Sequence, residues 1–335
     1  MAKQLLWMRP KVSCEYINLI KFFMEFRSSP EFHPLVEIEK SPRPSIRLEF
    51  FRHDRKATPT EGQPDETVRL TPEGRVHAAK AGRDQDPHPE VALVYGSPRQ
   101  RSQETAYRHM LAGEPRITED LSLEEMQAII DAELTLQKKM GEGRLKKEII
   151  TDHLNFQWDK ETSLGAELYE HYEKTKDALV YVWQSSDERA RELQDSESTT
   201  YSRAAGNIAE LIAKHLRMLP NWEKIIAKSP GAYKAYKNEL QRFFASHQCV
   251  TECFLLKVIE KINGPEAVRT FLEKLPNKNG FDFSEGYTIC MEGTEKGEAI
   301  LAVRFHDEQW SVPASMIREI IEERDELNRS IHQEV

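Results

Sequence analysis

Apolar and polar positions alternate through Ile46-Arg47-Leu48-Glu49-Phe50, and Phe51 extends the apolar end. This pattern predicts a short β-strand that runs into Arg52-His53. Val91-Ala92-Leu93-Val94-Tyr95 is apolar throughout, as a strand covered on both faces of a parallel sheet would be. A helix is expected after each strand. Thr71 is a good N-cap and Pro72 suits the first helical position, so one helix should run from about Pro72 to Ala81 and end at Gly82. Ser97 and Pro98 open the other, which continues to about Leu111. Strand, helix, strand, helix in this order argues for an α/β fold with crossover connections.

The remaining pattern is read the same way. Residues 13–27 predict a helix with a broad apolar face, and the proline-bearing stretch 28–45 reads as a linker. Residues 54–69 are polar, contain Pro59, Gly62 and Pro64, and read as a loop. Residues 122–219 are mostly helical in pattern, with breaks at 141–143 and 195–198. Pro220 and 228–231 mark turns. Leu240 to Ser246 is a short strand ending at His247, followed by a helix that Gly264-Pro265 stops. Tyr287 to Met291 and Ala299 to Phe305 are two strands, and Pro313 opens a last helix rich in Glu and Arg. The expected organisation is an N-terminal helix and linker over 1–45, a catalytic domain over 46–312 with a helical insertion at about 130–195, and a C-terminal helix over 313–335.

Composition narrows the function classes. The 335 residues are 39% hydrophobic and 31% charged, which excludes a disordered or membrane class. A net charge of -9 gives no general affinity for nucleic acid. A basic pocket within an acidic protein would instead favour a small anion. Cys14, Cys249, Cys253 and Cys290 form no paired framework, which fits a reducing compartment. Residues 1–11 lack the apolar core and cleavage site of a secretory signal, and no apolar run reaches membrane-spanning length. A cytosolic protein without a membrane partner is expected.

Three strand ends carry chemistry: Arg52-His53, Ser97 with Arg101, and Ser246-His247. If these strands are neighbours in one parallel sheet, two imidazoles and two guanidiniums meet at the end where open α/β sheets bind ligands. The helix starts after Pro98 and near Gln248 would point positive dipole ends at the same place. Such a pocket suits phosphate.

These stretches resemble the histidine phosphatase superfamily, the group that includes cofactor-dependent phosphoglycerate mutases. Arg52-His53 matches its Arg-His signature. Leu70-Thr71-Pro72-Glu73-Gly74 with Ala78 is similar to its Leu-Thr-x-x-Gly-x-x-x-Ala helix start. Ser97-Pro98-Arg99-Gln100-Arg101-Ser102-Gln103-Glu104-Thr105-Ala106 matches Ser-Pro-x-x-Arg-x-x-x-Thr-Ala. Glu197-Ser198 with Arg203 resembles a Glu-Ser…Arg stretch of the mutase-like branch, and Ser246-His247 its second histidine motif. The resemblance spans about residues 46–305.

It implies a three-layer α/β/α sandwich with a mostly parallel central sheet, preceded by the N-terminal helix and carrying the insertion as a cap. It also implies that His53 attacks phosphorus to form a phosphohistidine, that Arg52, Arg101 and His247 bind the phosphoryl oxygens, and that no metal or other cofactor is needed. Water then cleaves the phosphohistidine. In the mutase-like branch a Glu on a Leu-x-Glu stretch protonates the leaving group, which nominates Glu125 in Leu123-Glu124-Glu125, with Glu124 as the near alternative. A solvated acidic helix start explains the same residues.

Two departures stand out. Asp54 replaces a common Gly and would repel phosphate unless it points away or pairs with Arg55. Gln248 follows the second histidine in place of Gly or Asp, which disfavours the acid phosphatase and phytase branch.

Other motifs yield less. His247, Cys249, Glu252 and Cys253 match no common zinc spacing, so buried thiols on a helix are expected. No P-loop sequence occurs. The expected activity is a metal-independent phosphatase acting on a small phosphorylated substrate or a phosphoprotein. The alternatives are a phosphoglycerate mutase-type phosphotransferase or a binding scaffold on the same fold. The oligomeric state is open, with a homodimer one expectation.

Overall fold

A computed structural model of the chain describes residues 43–112, 118, 121–129, 149–229, 231–293 and 299–332. The expected helix at 13–27, most of the linker, and residues 130–148 of the expected insertion lie outside the described residues.

Seven strands are described: β1 (Ser45–Arg52), β2 (Ala92–Gly96), β3 (Ile149–Ile150), β4 (Glu239–Ser246), β5 (Gly286–Gly293), β6 (Ala299–Phe305) and β7 (Glu308–Pro313). They form one sheet in the order β3-β2-β4-β1-β5-β6-β7. The helices are α1 (Pro72–Asp84), α2 (Gln100–Met110), α3 (Ser163–Glu170), α4 (Ala178–Glu192), α5 (Tyr201–Lys228), α6 (Thr251–Asn263), α7 (Pro265–Lys274) and α8 (Ala314–His332).

The sheet is parallel only in its first half. β3, β2, β4 and β1 pair in parallel, whereas β5 meets β1 antiparallel and β6 and β7 continue so. The expectation of a mostly parallel sheet is corrected accordingly. A two-residue turn joins β6 (Ala299–Phe305) to β7 (Glu308–Pro313), and such a connection permits only antiparallel neighbours. β7 escapes the sequence pattern because only Trp310 and Val312 alternate within it.

Adjacent residues of β1 face opposite layers, which makes the fold a sandwich. Phe51 packs with Val94, Phe243 and Ala245 against Ala106, Tyr107 and Met110 of α2. Phe50 joins the larger cluster that includes Ile208 and Ile212 of α5, Phe254 and Val258 of α6, and Ile320 of α8. A row of rings crosses four strands on this second face. Tyr95 stacks on Phe244 at 4.4 Å, Phe244 on Phe50 at 4.4 Å, and Phe50 on Tyr287 at 5.5 Å. Each pair also occupies the same register, so the stacks help hold the strand ends level beneath the site.

Two local features differ from the pattern. Pro220 lies inside α5 instead of ending it. Its ring is on an exposed position, so the lost hydrogen bond falls on the solvent side. The described part of the insertion includes β3, α3, α4 and a π-helical turn at His171–Thr175. No described helix is long and apolar enough to cross a membrane.

Candidate active site

β1, β2 and β4 are adjacent, and their C-terminal ends bring Arg52, His53, Ser97 and His247 together. The end of β1 is tied on both sides. The His53 amide donates to Ser246 O at 2.8 Å and the Arg52 amide to Glu285 O at 2.9 Å.

His53 is buried, with Nδ1 2.6 Å from the Asp54 carbonyl oxygen. A carbonyl only accepts, so Nδ1 carries the ring proton and the lone pair is left on Nε2. Arg101 Nε donates to that Nε2 at 3.2 Å. Burial, then the charges of Arg101 and Arg52, hold the imidazole well below the usual histidine range. The ring is therefore neutral at pH 7.

His247 lies edge-on to His53, with ring centroids 5.0 Å apart. Its Nε2 is 2.7 Å from Ser97 Oγ. Ser97 Oγ also accepts from the Arg99 amide at 3.2 Å and has both a hydrogen and a second lone pair with which to meet His247. Nδ1 is buried with no hydrogen-bond partner among the described residues, as is Arg52 Nε. Burial and the neighbouring His53 and Arg101 also hold His247 well below the ordinary range.

The arginines are oriented by the fold. Arg52 donates to Phe281 O at 2.6 Å and lies over the Phe283 ring at 4.3 Å. Arg101 rises from the first turn of α2, where Thr105 Oγ1 donates to its carbonyl at 2.8 Å. Ser102 Oγ accepts from the Ser97 amide and donates to Ala245 O, stapling α2 to the ends of β2 and β4. The serines and threonine of this stretch thus have structural work beside the arginine.

Asp54 does not oppose the pocket. Its carboxylate accepts from the Arg55 amide at 2.7 Å and from Ser284 Oγ at 2.6 Å, and lies 2.6 Å from His77 Nδ1. Gly74 completes this corner. A Cβ there would meet Arg55 O at 2.5 Å, so the start of α1 can press against the backbone just past His53.

The described contacts of Glu125 lie at its own helix start. Its carboxylate accepts from the Ser122 amide at 2.7 Å, and its own amide donates to Ser122 Oγ, a reciprocal closure of a helix start. Glu124 pairs with Arg69, and that hydrogen bond holds its carboxyl below the usual range. Glu197 is exposed. Arg203 instead donates to Ser198 O and Asp195 O, tying down the turn before α5.

Sequence reasoning missed three charged residues here. Arg99 stacks on Phe156 at 4.1 Å, Lys56 reaches in from the first loop, and Asp65 accepts from Lys56, Arg99 and Arg101. None sits in a periodic segment that would have marked it. Cys249 and Cys253 carry the buried thiols that the sequence pattern predicts. Both thiols are buried and donate to the carbonyls of Asn279 and Cys249, and no cluster of potential metal ligands occurs among the described residues.

No protein-family model matches the chain, and no curated protein does. Among solved structures, a mycobacterial glucosyl-3-phosphoglycerate phosphatase is similar over 76% of this chain and 92% of its own, at 12% identity and a TM-score of 0.37. A phosphoserine phosphatase variant from Entamoeba histolytica covers 76% and 94%, at 13% identity and a TM-score of 0.34. An open reading frame product of Mycobacterium tuberculosis covers 77% and 95%, at 16% identity and a TM-score of 0.36. In the order of its motifs, and in the pocket where the Arg-His, Ser-Pro-x-x-Arg and second-histidine stretches meet, the chain resembles the histidine phosphatase superfamily.

Proposed function

We propose that the chain hydrolyses a phosphomonoester through a phosphohistidine on His53. The observation that carries this reading is the His53 ring itself. It is neutral, its proton is held on Nδ1 by the Asp54 carbonyl, and its Nε2 faces the Arg101 guanidinium. When a phosphoryl group draws Arg101 off Nε2, the lone pair there can attack phosphorus in line. The N–P bond forms as the P–O bond to the leaving group breaks. Arg52, Arg101 and His247 stabilise the charge spread over the equatorial oxygens. Water then cleaves the phosphohistidine and releases inorganic phosphate. These side chains supply the electrostatics, so turnover is expected to persist with chelator present. A reducing, cytosolic setting suits the free thiols Cys249, Cys253 and Cys290.

The test is release of phosphate from an aryl phosphate in the presence of chelator. Turnover that disappears in His53→Ala supports the reading. Equal and negligible release by both proteins, across a broad phosphomonoester panel, would favour a scaffold.

A further inference from the structure

A buried carboxyl that the proposed chemistry does not use lies behind the pocket. Glu252, in the first turn of α6, is 0% exposed. Its Oε1 accepts from the Phe281 amide at 2.6 Å, and the Phe281 carbonyl accepts from Arg52 at 2.6 Å and from Gln248 Nε2 at 3.2 Å. A single residue of backbone therefore joins the carboxyl to the guanidinium. The chain is shaped for this contact. Gly280 has φ +126°, and a Cβ there would collide with Glu252 Oε1. The segment is pinned on either side, where Asn279 O accepts from the Cys249 thiol at 3.0 Å and Ser284 Oγ donates to Asp54 at 2.6 Å.

Two atoms along this connection are buried with no hydrogen-bond partner among the described residues, Glu252 Oε2 and Arg52 Nε. A neutral carboxyl tolerates such a place far better than a carboxylate with one bare oxygen. The titratable and charged groups that face Glu252 are Arg52 at the end of β1, Glu285 before β5, Tyr287 on β5, and the thiols Cys249 and Cys253. Arg52 is the one cation among them. Burial pushes the Glu252 carboxyl up to about 7, against the pull of the Phe281 amide and Arg52.

We propose that Glu252 is a positioning residue for the phosphate clamp: it fixes the Phe281 peptide, whose carbonyl aims the Arg52 guanidinium at the phosphoryl group. This deepens the reading above and rests on the role given there to Arg52. The protonated carboxyl leaves the guanidinium directed at the ligand. The ionised form places a negative charge behind Arg52, which competes with the bound anion for it and weakens the clamp. Anion affinity is therefore full below about pH 7 and falls as pH rises through that value. By reciprocity, an anion held on Arg52 makes Glu252 harder to ionise, so binding above about pH 7 takes up a proton.

The experiment titrates the full chain calorimetrically with sulfate, which mimics the phosphoryl group and stays a dianion, at about pH 6 and about pH 8 in buffers of different ionisation heat. Between the two values the affinity should fall about 5-fold more in the parent than in Glu252→Gln, which keeps the acceptor and cannot ionise. The parent should also take up more protons on binding at the higher pH. His53 and His247 are common to both proteins, so their share cancels. Glu252→Leu, which has no acceptor, should bind sulfate about 10-fold more weakly than Glu252→Gln at the lower pH. The same pH dependence in parent and Glu252→Gln, no sulfate binding by the parent, or equal binding by the folded Leu and Gln variants overturns the proposal. If a thermal melt shows that Glu252→Leu does not fold, the comparison of the parent with Glu252→Gln decides. Aryl phosphate turnover by the parent is measured alongside. No turnover with the pH-linked sulfate affinity intact removes the hydrolase reading and keeps the positioning role, and the reverse result removes only the positioning role.

Discussion

The Nδ1 atom of His53 lies 2.6 Å from the carbonyl oxygen of Asp54, its neighbour in the chain. The nucleophile is thus oriented by backbone, and no side-chain mutation can remove its anchor without moving the chain. Burial and the charges of Arg101 and Arg52 also disfavour the imidazolium. Protonation of His53 should therefore occur at lower pH than the ordinary 6.5. An NMR titration of the free protein should find the His53 ring still neutral as pH falls through that value. A His53 midpoint at or above it would contradict the electrostatics described.

Asp54 stands where a glycine is common in the family the chain resembles, yet here it is an anchor for the loop at 279–284. Asp54→Gly strands Ser284 Oγ and the Arg55 amide and lets His77 go. The expected cost is about 2–4 kcal/mol of stability, with a lower kcat/KM. Urea denaturation and steady-state kinetics check both. Improved phosphate binding in this variant would mean that the carboxylate does face the ligand.

Glu252 is fully buried behind Arg52. Its Oε1 accepts from the Phe281 amide at 2.6 Å, and the Phe281 carbonyl in turn accepts from Arg52. Burial pushes its carboxyl up to about 7. The folded protein then holds this proton more tightly than the unfolded chain does. The stabilisation is complete below about pH 4.5 and is lost as pH rises to about 7. Glu252→Gln keeps the acceptor and removes the ionisation. It should be more stable than the parent at pH 8 by on the order of 2 kcal/mol, with little difference at pH 5. Denaturant midpoints at the two pH values measure this, and a gap that does not change with pH would defeat the assignment.

Glu125 closes its own helix start, so it should not act on the leaving group. Glu125→Gln is expected to change hydrolysis of alkyl and aryl phosphates by the same factor. A selective loss on the alkyl substrate, whose leaving group needs a proton more, would restore Glu125 as the donor.

The architecture was largely legible in the sequence because three strand ends carry short, ordered motifs. Alternation located β1, a continuous apolar run located β2, and the short run Phe243-Phe244-Ala245 located β4. Thr71-Pro72 marked the start of α1, whereas Ser97-Pro98 stands short of α2, which begins at Gln100 with Arg99 at its N-cap and no side-chain capping bond. What escaped had no period to reveal it. Lys56 and Asp65 lie in a polar loop, and Arg99 precedes its helix, so only tertiary packing brings the three together. The antiparallel half of the sheet was equally hidden, because strand direction depends on pairing and not on local pattern. Glu125 follows Leu123 as the motif has it, and the same stretch spaces it from Ser122 to close a helix start.

Arg52 and the Phe281 carbonyl that holds it lie 229 positions apart in the chain. During synthesis the nucleophile's half of the pocket therefore emerges long before the segment that steadies it. Loop closure over such a span is slow compared with forming local helices. The pocket is a late product of folding, and a chain halted before the turn at Phe281 would carry His53 on a strand without a working site around it.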